Sequence, residues 1–296
     1  MRFEAPSARV LPDGRRLLLQ QGPIDLVIEA VGEPDAVKAA REAAIRRFDG
    51  LLAELCGELP LLRRPVSRTS PVPLGQVARR MHAAVGPFAT SGFITPMAAV
   101  AGAVAQEILG VMSRAAPLRR AYVNNGGDIA LYLSAGEQFR IGLMKRPDRP
   151  EFFATATIRP EDGVAGIATS GYPGRSFSLG IAEAVTVLAP TAAMADAAAT
   201  VIANAIDLPG HPAVERLPAS AIQSDSDLGE RLVTREVGPL TPDEIETALA
   251  AGLAEAERLR EAGLIVSAAM HLQGVSRALE SPMIFQEKPE RRLARA

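Results

Sequence analysis

Apolar and polar residues alternate along the first thirty positions, and turn chemistry breaks the alternation twice. Pro12-Asp13-Gly14 separates Ala8–Leu11 from Arg16–Gln20, and Gly22-Pro23 leads into Asp25–Val31, so three strands joined by tight turns are expected. From Pro34 the period lengthens. Val37, Ala40, Ala44, Ile45, Phe48, Leu52 and Leu55 recur at helical spacing, which predicts one helix from about Pro34 to Leu59. Residues 57–75 hold four prolines and little periodicity, the mark of a long surface loop. A short helix, Gln76–Val85, comes next. A second runs over Pro96–Arg114, capped by Thr95 with Pro96 in its first turn. Its Ala, Gly and Val side chains are small enough for another backbone to approach closely.

The middle of the chain reads as a meander. Ala121–Asn124 and Ile129–Leu133 flank Asn125-Gly126-Gly127-Asp128, and Phe139–Met144, Phe152–Ile158 and Val164–Ala168 continue it. Glu183–Leu188 feeds an Ala-rich helix over Ala192–Ala205. After a looser stretch, the capping box of Thr241 and Glu244 opens a helix to about Ala262, closed by Gly263, and Leu264–Met270 reads as the last strand. Strict βαβ alternation and a GxGxxG fingerprint are both missing, which disfavours a Rossmann fold. The fold class is α+β: antiparallel sheets packed on central helices rich in small residues. Phe88-Ala-Thr-Ser-Gly-Phe93 and Ile167-Ala-Thr-Ser-Gly-Tyr172 share their four central residues, compatible with an internal duplication or with coincidence in an Ala- and Gly-rich chain. Residues 1–284 are read as one domain and 285–296 as a flexible basic tail.

Composition narrows the function classes. Thirty-two Lys and Arg against 34 Asp and Glu leave a net charge of −2, which gives nucleic acid no electrostatic purchase. The single cysteine, Cys56, sits among leucines and excludes an internal disulfide or a cysteine zinc cage. His82, His211 and His271 form no metal-ligand spacing. The N-terminus lacks the apolar core of a signal peptide. The most apolar stretch, Pro96 to Ala105, is interrupted by Gln106 and Glu107, short of the roughly 20 residues a membrane span needs. A cytoplasmic protein, without a membrane or nucleic-acid partner and open to homo-oligomerisation, is expected.

Three segments could carry chemistry. Asn124-Asn125-Gly126-Gly127-Asp128 could present backbone N–H groups to a phosphate or ring edge, or be a plain Asn/Gly hairpin turn. Thr169-Ser170-Gly171, leading to Arg175 and Ser176, could hold a phosphate through amides, hydroxyls and a guanidinium, or be a flexible loop. Asp196 and Thr200 stand four apart on a helix, where two oxygens could bind a hard cation such as Mg²⁺; an Asp near a helix start also favours the dipole on its own account.

Taken in order, these segments resemble the ApbE-like superfamily, best known for FAD:protein FMN transferases. Its GG(D/E) turn, TSG segment, valine-rich strand ending in Ala-Pro and ADxxxT helix match Gly126-Gly127-Asp128, Thr169-Ser170-Gly171, Ala184–Pro190 and Ala195-Asp196 to Thr200. The resemblance spans roughly residues 86–206 and is nearest to a cytoplasmic branch. It implies a pocket for FAD or a related flavin or nucleotide, with Mg²⁺ held by Asp196, Thr200 and a backbone carbonyl near Ile94 or Thr95. Asn124 to Asp128 would line the cofactor pocket, and Thr169, Ser170 and Gly171, with Arg175 and Ser176, would lie near the phosphates or ring. The chain departs from the transferases in three places. It lacks the H-I-x-D-P-x-T-G segment after TSG, the lysine of the small-residue helix and the lipid-anchored N-terminal cysteine. Two functions follow from the resemblance. One is a Mg²⁺-dependent flavin or nucleotide enzyme, a divergent transferase or pyrophosphate-cleaving enzyme for which FMN transfer to protein is not expected. The other is a non-catalytic binder of flavin or a pterin-like compound in cofactor or one-carbon metabolism.

Overall fold

The computed structural model describes residues 4–90, 92–146, 149–174, 176–279 and 286–287. Its frame is a nine-stranded antiparallel sheet. The first strands are β1 (Ser7–Val10), β2 (Arg16–Gln21) and β3 (Ile24–Val31), then β4 (Arg120–Asn125) and β5 (Asp128–Leu133). The hairpin β6 (Phe139–Arg146) and β7 (Arg149–Ile158) leaves the sheet, and the chain returns with β8 (Gly166–Ser170) and β9 (Ala184–Ala189). Strands β10 (Val214–Pro218) and β11 (Leu232–Val237) pair only with each other; β12 (Ser267–Leu272) and β13 (Val275–Ala278) complete the large sheet beside β9. The short strand β14 (Gln286–Glu287) pairs with β7, and the rest of the expected tail lies outside the described residues.

Period-two alternation sets the two faces of the sheet. Val123, Ala130, Ala168 and Val187 face the helices, whereas Leu131, Ile167 and Leu188 face Ala156 and Ile158 of the β6–β7 hairpin. The expected continuous meander is therefore corrected: β6 and β7 form a separate small sheet laid over the large one. The helical layer comprises α1 (Pro34–Phe48), α2 (Leu51–Leu62), α3 (Gln76–Val85), α4 (Val100–Ala115), α5 (Ala192–Ala205), the single turn α6 (Ala219–Ile222) and α7 (Pro242–Glu261). The helix expected over Pro34–Leu59 is two. Gly50, in the left-handed conformation at φ 80°, breaks it, although the hydrophobic period continues across the break. The second helix runs on to Leu62 past Pro60, shortening the expected loop. The looser stretch after α5 holds β10, α6 and β11, and β12 is followed by two more strands.

Small residues let α4 and α5 meet. A Cβ on Gly102 would lie 2.2 Å from the carbonyl oxygen of Ala192, so only glycine permits this approach. Pro96–Ala115 is long and apolar enough to cross a membrane by length and composition, more than the expected break at Gln106 and Glu107 implied, but 56% of its apolar 18-residue window is buried inside the fold. Its one buried acid, Glu107, is held by Arg47 of α1 at 2.7 Å and by Arg80 of α3. Burial alone would raise that carboxyl; the two guanidinium contacts outweigh it and hold the group below the usual range. The Phe88–Phe93 echo falls in a 3-10 turn and loop, with Ser91 outside the described residues, while its counterpart begins on β8, so the two segments differ in local structure.

Candidate functional site

A cavity of about 530 Å³ lies between the helical layer and one end of the large sheet. Its floor is built where two strand ends come together. The β4–β5 hairpin is closed by Gly126 and Gly127, both at positive φ (67° and 119°), as a two-residue turn requires. The Asn124 side chain accepts the Gly127 N–H at 2.8 Å, and Asn125 Nδ2 donates to the Ala101 carbonyl at 3.2 Å, tying the turn to α4. Asn125, Gly126 and Asp128 face the cavity; Asn124 and Gly127 shape the turn from behind it. Beside them β8 ends in Thr169, Ser170 and Gly171, all on the wall. Thr169 Oγ1 is also 2.9 Å from Thr186 Oγ1.

The third expected segment arrives from α5. Asp196 and Thr200 both face the cavity, one helical turn apart. Asp196 Oδ2 accepts the Gly102 N–H at 2.9 Å, a contact that exists because α4 and α5 approach so closely at that glycine. Burial raises the Asp196 carboxyl to about 7, against the opposing pull of the Gly102 and Ala101 N–H groups. Burial also raises Asp128 well above the ordinary range, the charge of Asp196 adds to it, and the Thr169 N–H opposes. The two carboxyls thus share one partly dehydrated corner, where holding two negative charges without a cation is unfavourable. Among the described residues no group of three or more His, Cys, Asp or Glu side chains converges. A cation here would rest on two carboxylates with hydroxyl and other oxygen ligands, a donor set that suits a hard divalent ion rather than zinc.

The opposite wall is apolar and was not foreseen. Leu52, Leu55 and Leu59 of α2, Met81 of α3 and Val100 and Val104 of α4 close the cavity over the strand ends. Cys56, expected in the core, lies on this wall. An amphipathic period shows that a helix face is covered, but not whether protein or a cavity covers it. Arg63, the residue that ends α2, is a second addition.

Two expected residues stand apart. Thr95 is buried and caps the turn before α4 by accepting the Met97 N–H at 3.2 Å, while its hydroxyl donates to Asp227. Its carbonyl accepts the Ala98 N–H at 3.1 Å, and that of Ile94 accepts the Val66 N–H at 3.2 Å. Neither residue is among those that line the cavity, and in the structure Thr95 serves as a capping residue. Arg175 lies outside the described residues, between Gly174 and Ser176, which both line the cavity. Glu183, the other nearby carboxylate, accepts the Gln273 N–H at 2.8 Å and lies off the wall.

Residues 8–278 match the family model described as AbpE bacteria. A UPF0280 protein of Methanosphaerula palustris is 32% identical over 171 residues, 57% of this chain and 69% of the relative. One from Methanopyrus kandleri is 35% identical over 188 residues, 61% of this chain and 69% of the relative. Among solved structures, a mutant of the ApbE flavin transferase of Vibrio cholerae aligns over 94% of this chain and 97% of its own, with a TM-score of 0.46 and 13% identity. The apo flavinyl transferase ApbE of Pseudomonas stutzeri covers 94% and 96%, with a TM-score of 0.38 and 11% identity. These structural likenesses are too distant to argue from.

Proposed function

The chain belongs to the AbpE bacteria family, within the ApbE-like superfamily, and from that membership we propose that its cavity binds FAD or a related flavin or nucleotide together with Mg²⁺. The observation that carries this reading is the division of one cavity into two chemistries. Two desolvated carboxyls, hydroxyls and glycine backbone line one end, and leucine, methionine and valine line the other. A fused ring with a phosphate-bearing chain has the same division, and 530 Å³ is within the range of small-molecule sites.

In this reading Asp196 and Thr200, with Asp128 across from them, hold the cation. When bound, Mg²⁺ would neutralise phosphate charge and stabilise the charge that develops if a pyrophosphate is cleaved. Gly126 lets the ligand approach the hairpin backbone without a Cβ in the way. Thr169 and Ser170 offer hydroxyls, and Gly171 an N–H, to its oxygens. The apolar wall excludes water and strengthens every polar contact at the other end. A cytoplasmic setting belongs to the same proposal.

A second reading, a non-catalytic binder of flavin or a pterin-like compound, is favoured by one observation. Apart from the two aspartates that would hold the cation, the described cavity wall has no general base, and Glu183 is engaged by Gln273 instead. Calorimetry with Mg²⁺ plus FAD tests the shared premise: binding should require the metal and weaken at least tenfold in Asp196→Ala. Equal binding by that variant would remove the aspartate from the site. Incubation with FAD and Mg²⁺ then separates the readings: release of FMN and AMP by hydrolysis of the pyrophosphate would exclude the binder, and FAD recovered intact would exclude the pyrophosphate-cleaving enzyme.

A further inference from the structure

The cavity has two acids and, among the described residues on its wall, one cationic side chain. That cation is Arg63, at the C-terminal end of α2, whose backbone N–H closes the helix on Leu59 at 3.0 Å. Its side chain faces the cavity and, at the same time, donates from one terminal nitrogen to Asp225 at 2.8 Å. Asp225 belongs to the segment that joins α6 to β11 and is itself mostly exposed, at 62%, against 31% for Arg63. An ion pair so open to solvent contributes little to stability. A guanidinium at the rim of a cavity, held by a weak and replaceable carboxylate, is equipped to change partners.

We propose that Arg63 is an anion-contacting residue of this cavity, and that a phosphate or pyrophosphate group on the ligand displaces Asp225 from it. The inference rests on the cavity being a ligand site, and it names a residue and an exchange which that reading does not include. A phosphate can accept two N–H bonds side by side from the guanidinium and carries more charge, whereas Asp225 accepts from one terminal nitrogen. The segment carrying Asp225 has other anchors that survive the exchange. Asp227 receives the Thr95 hydroxyl, and the Arg231 guanidinium lies 3.3 Å from the centre of the Phe93 ring. Asp225 also accepts from the Gln223 side chain at 3.0 Å, so it keeps a partner when the arginine leaves. The exchange is therefore confined to one side chain and needs no movement of the strap.

Replacing Asp225 should then have the opposite effect to replacing Arg63, which a purely structural salt bridge cannot produce. The test is calorimetric titration of the full chain with inorganic pyrophosphate and Mg²⁺, with ADP as a second probe. Arg63→Ala should weaken binding about tenfold to a hundredfold, the range for losing charge-assisted hydrogen bonds. Arg63→Lys should recover part of the loss, and Asp225→Asn should tighten binding about twofold to fivefold by removing the competitor. Urea unfolding of each variant checks that the fold is intact. Equal binding by Arg63→Ala, weakening by Asp225→Asn, or absence of pyrophosphate and ADP binding in the unaltered protein would overturn the proposal. Riboflavin and FAD are titrated in parallel. If pyrophosphate binds through Arg63 but neither flavin binds, the exchange stands and the flavin reading falls.

Discussion

Replacing Gly102 with Ala sets two physical rules against each other. In an isolated helix the change stabilises by about 1 kcal/mol, because alanine has the higher helix propensity. At this position the new Cβ would sit 2.2 Å from the Ala192 carbonyl oxygen and 2.6 Å from its carbon. Both are backbone atoms at the start of α5, so no side chain can rotate away. Reaching ordinary contact near 3.4 Å needs a separation of α4 from α5 of about 1.2 Å. Such a shift carries the Gly102 N–H from 2.9 Å to roughly 4 Å from Asp196, beyond hydrogen-bonding distance. Overpacking of this kind costs about 1–3 kcal/mol, and the lost hydrogen bond adds on the order of 1 kcal/mol. The net expectation is a loss of about 1–3 kcal/mol in urea unfolding at neutral pH. The Asp196 carboxyl, already raised to about 7 with that N–H in place, would rise further without it and hold its proton more often. Mg²⁺ affinity measured at pH 7 should therefore fall as well. A variant at least as stable as the original, with unchanged Mg²⁺ affinity, would refute the argument that close helix approach builds the acid corner.

Three further variants have definite expected outcomes. Glu107→Gln should cost about 3 kcal/mol at pH 7, because it leaves two guanidinium groups facing a neutral amide inside the helical layer. The folded-state value of Glu107 is depressed, so its contribution is complete above the usual glutamate range and is lost as pH falls through the lowered folded value. The difference between variant and original should shrink in acid, and a difference constant from pH 7 to 3 would contradict this. At the hairpin, Gly127→Asn should lower stability by about 1 kcal/mol through its φ of 119° while leaving FAD affinity unchanged, since open space lies where its Cβ would be. Gly126→Asn, at φ 67° on the cavity side, should abolish the ligand-induced rise in Tm; full retention of that rise would show that the ligand does not pack against the turn.

Much of the frame was legible in the sequence because local rules decided it. The Gly126-Gly127 pair specifies a two-residue hairpin whatever surrounds it, and the reciprocal bonds of Thr241 and Glu244 cap α7 as the residue spacing predicts. The small-residue helices met face to face because Gly, Ala and Val leave no other way to bury their backbones. Asp128, Thr169, Ser170, Gly171, Asp196 and Thr200, read from three distant segments, converge on one cavity. What escaped depends on contacts made across the fold. Periodicity continued through Gly50 and concealed a break set by a left-handed residue. The departure of β6 and β7 from the large sheet depends on which face Ala156 and Ile158 cover, and no local pattern encodes that. Thr95 carried a legible cap, which the structure shows.

The narrowest seam in the large sheet runs between β5 and β8, where Ile129–Ile167 and Ala130–Gly166 are paired and the Leu131 N–H donates to the Ala165 carbonyl. Asp128 and Gly126 lie on one side of that seam, and Thr169, Ser170 and Asp196 lie on the other. A ligand in the proposed site would therefore span the join between two blocks of sheet, β1 to β5 and β8 to β13. Occupancy would act as a mechanical rivet, making the blocks unfold together where the empty protein can part at the seam first. Cooperativity of unfolding, and not only its midpoint, becomes a property of the bound molecule.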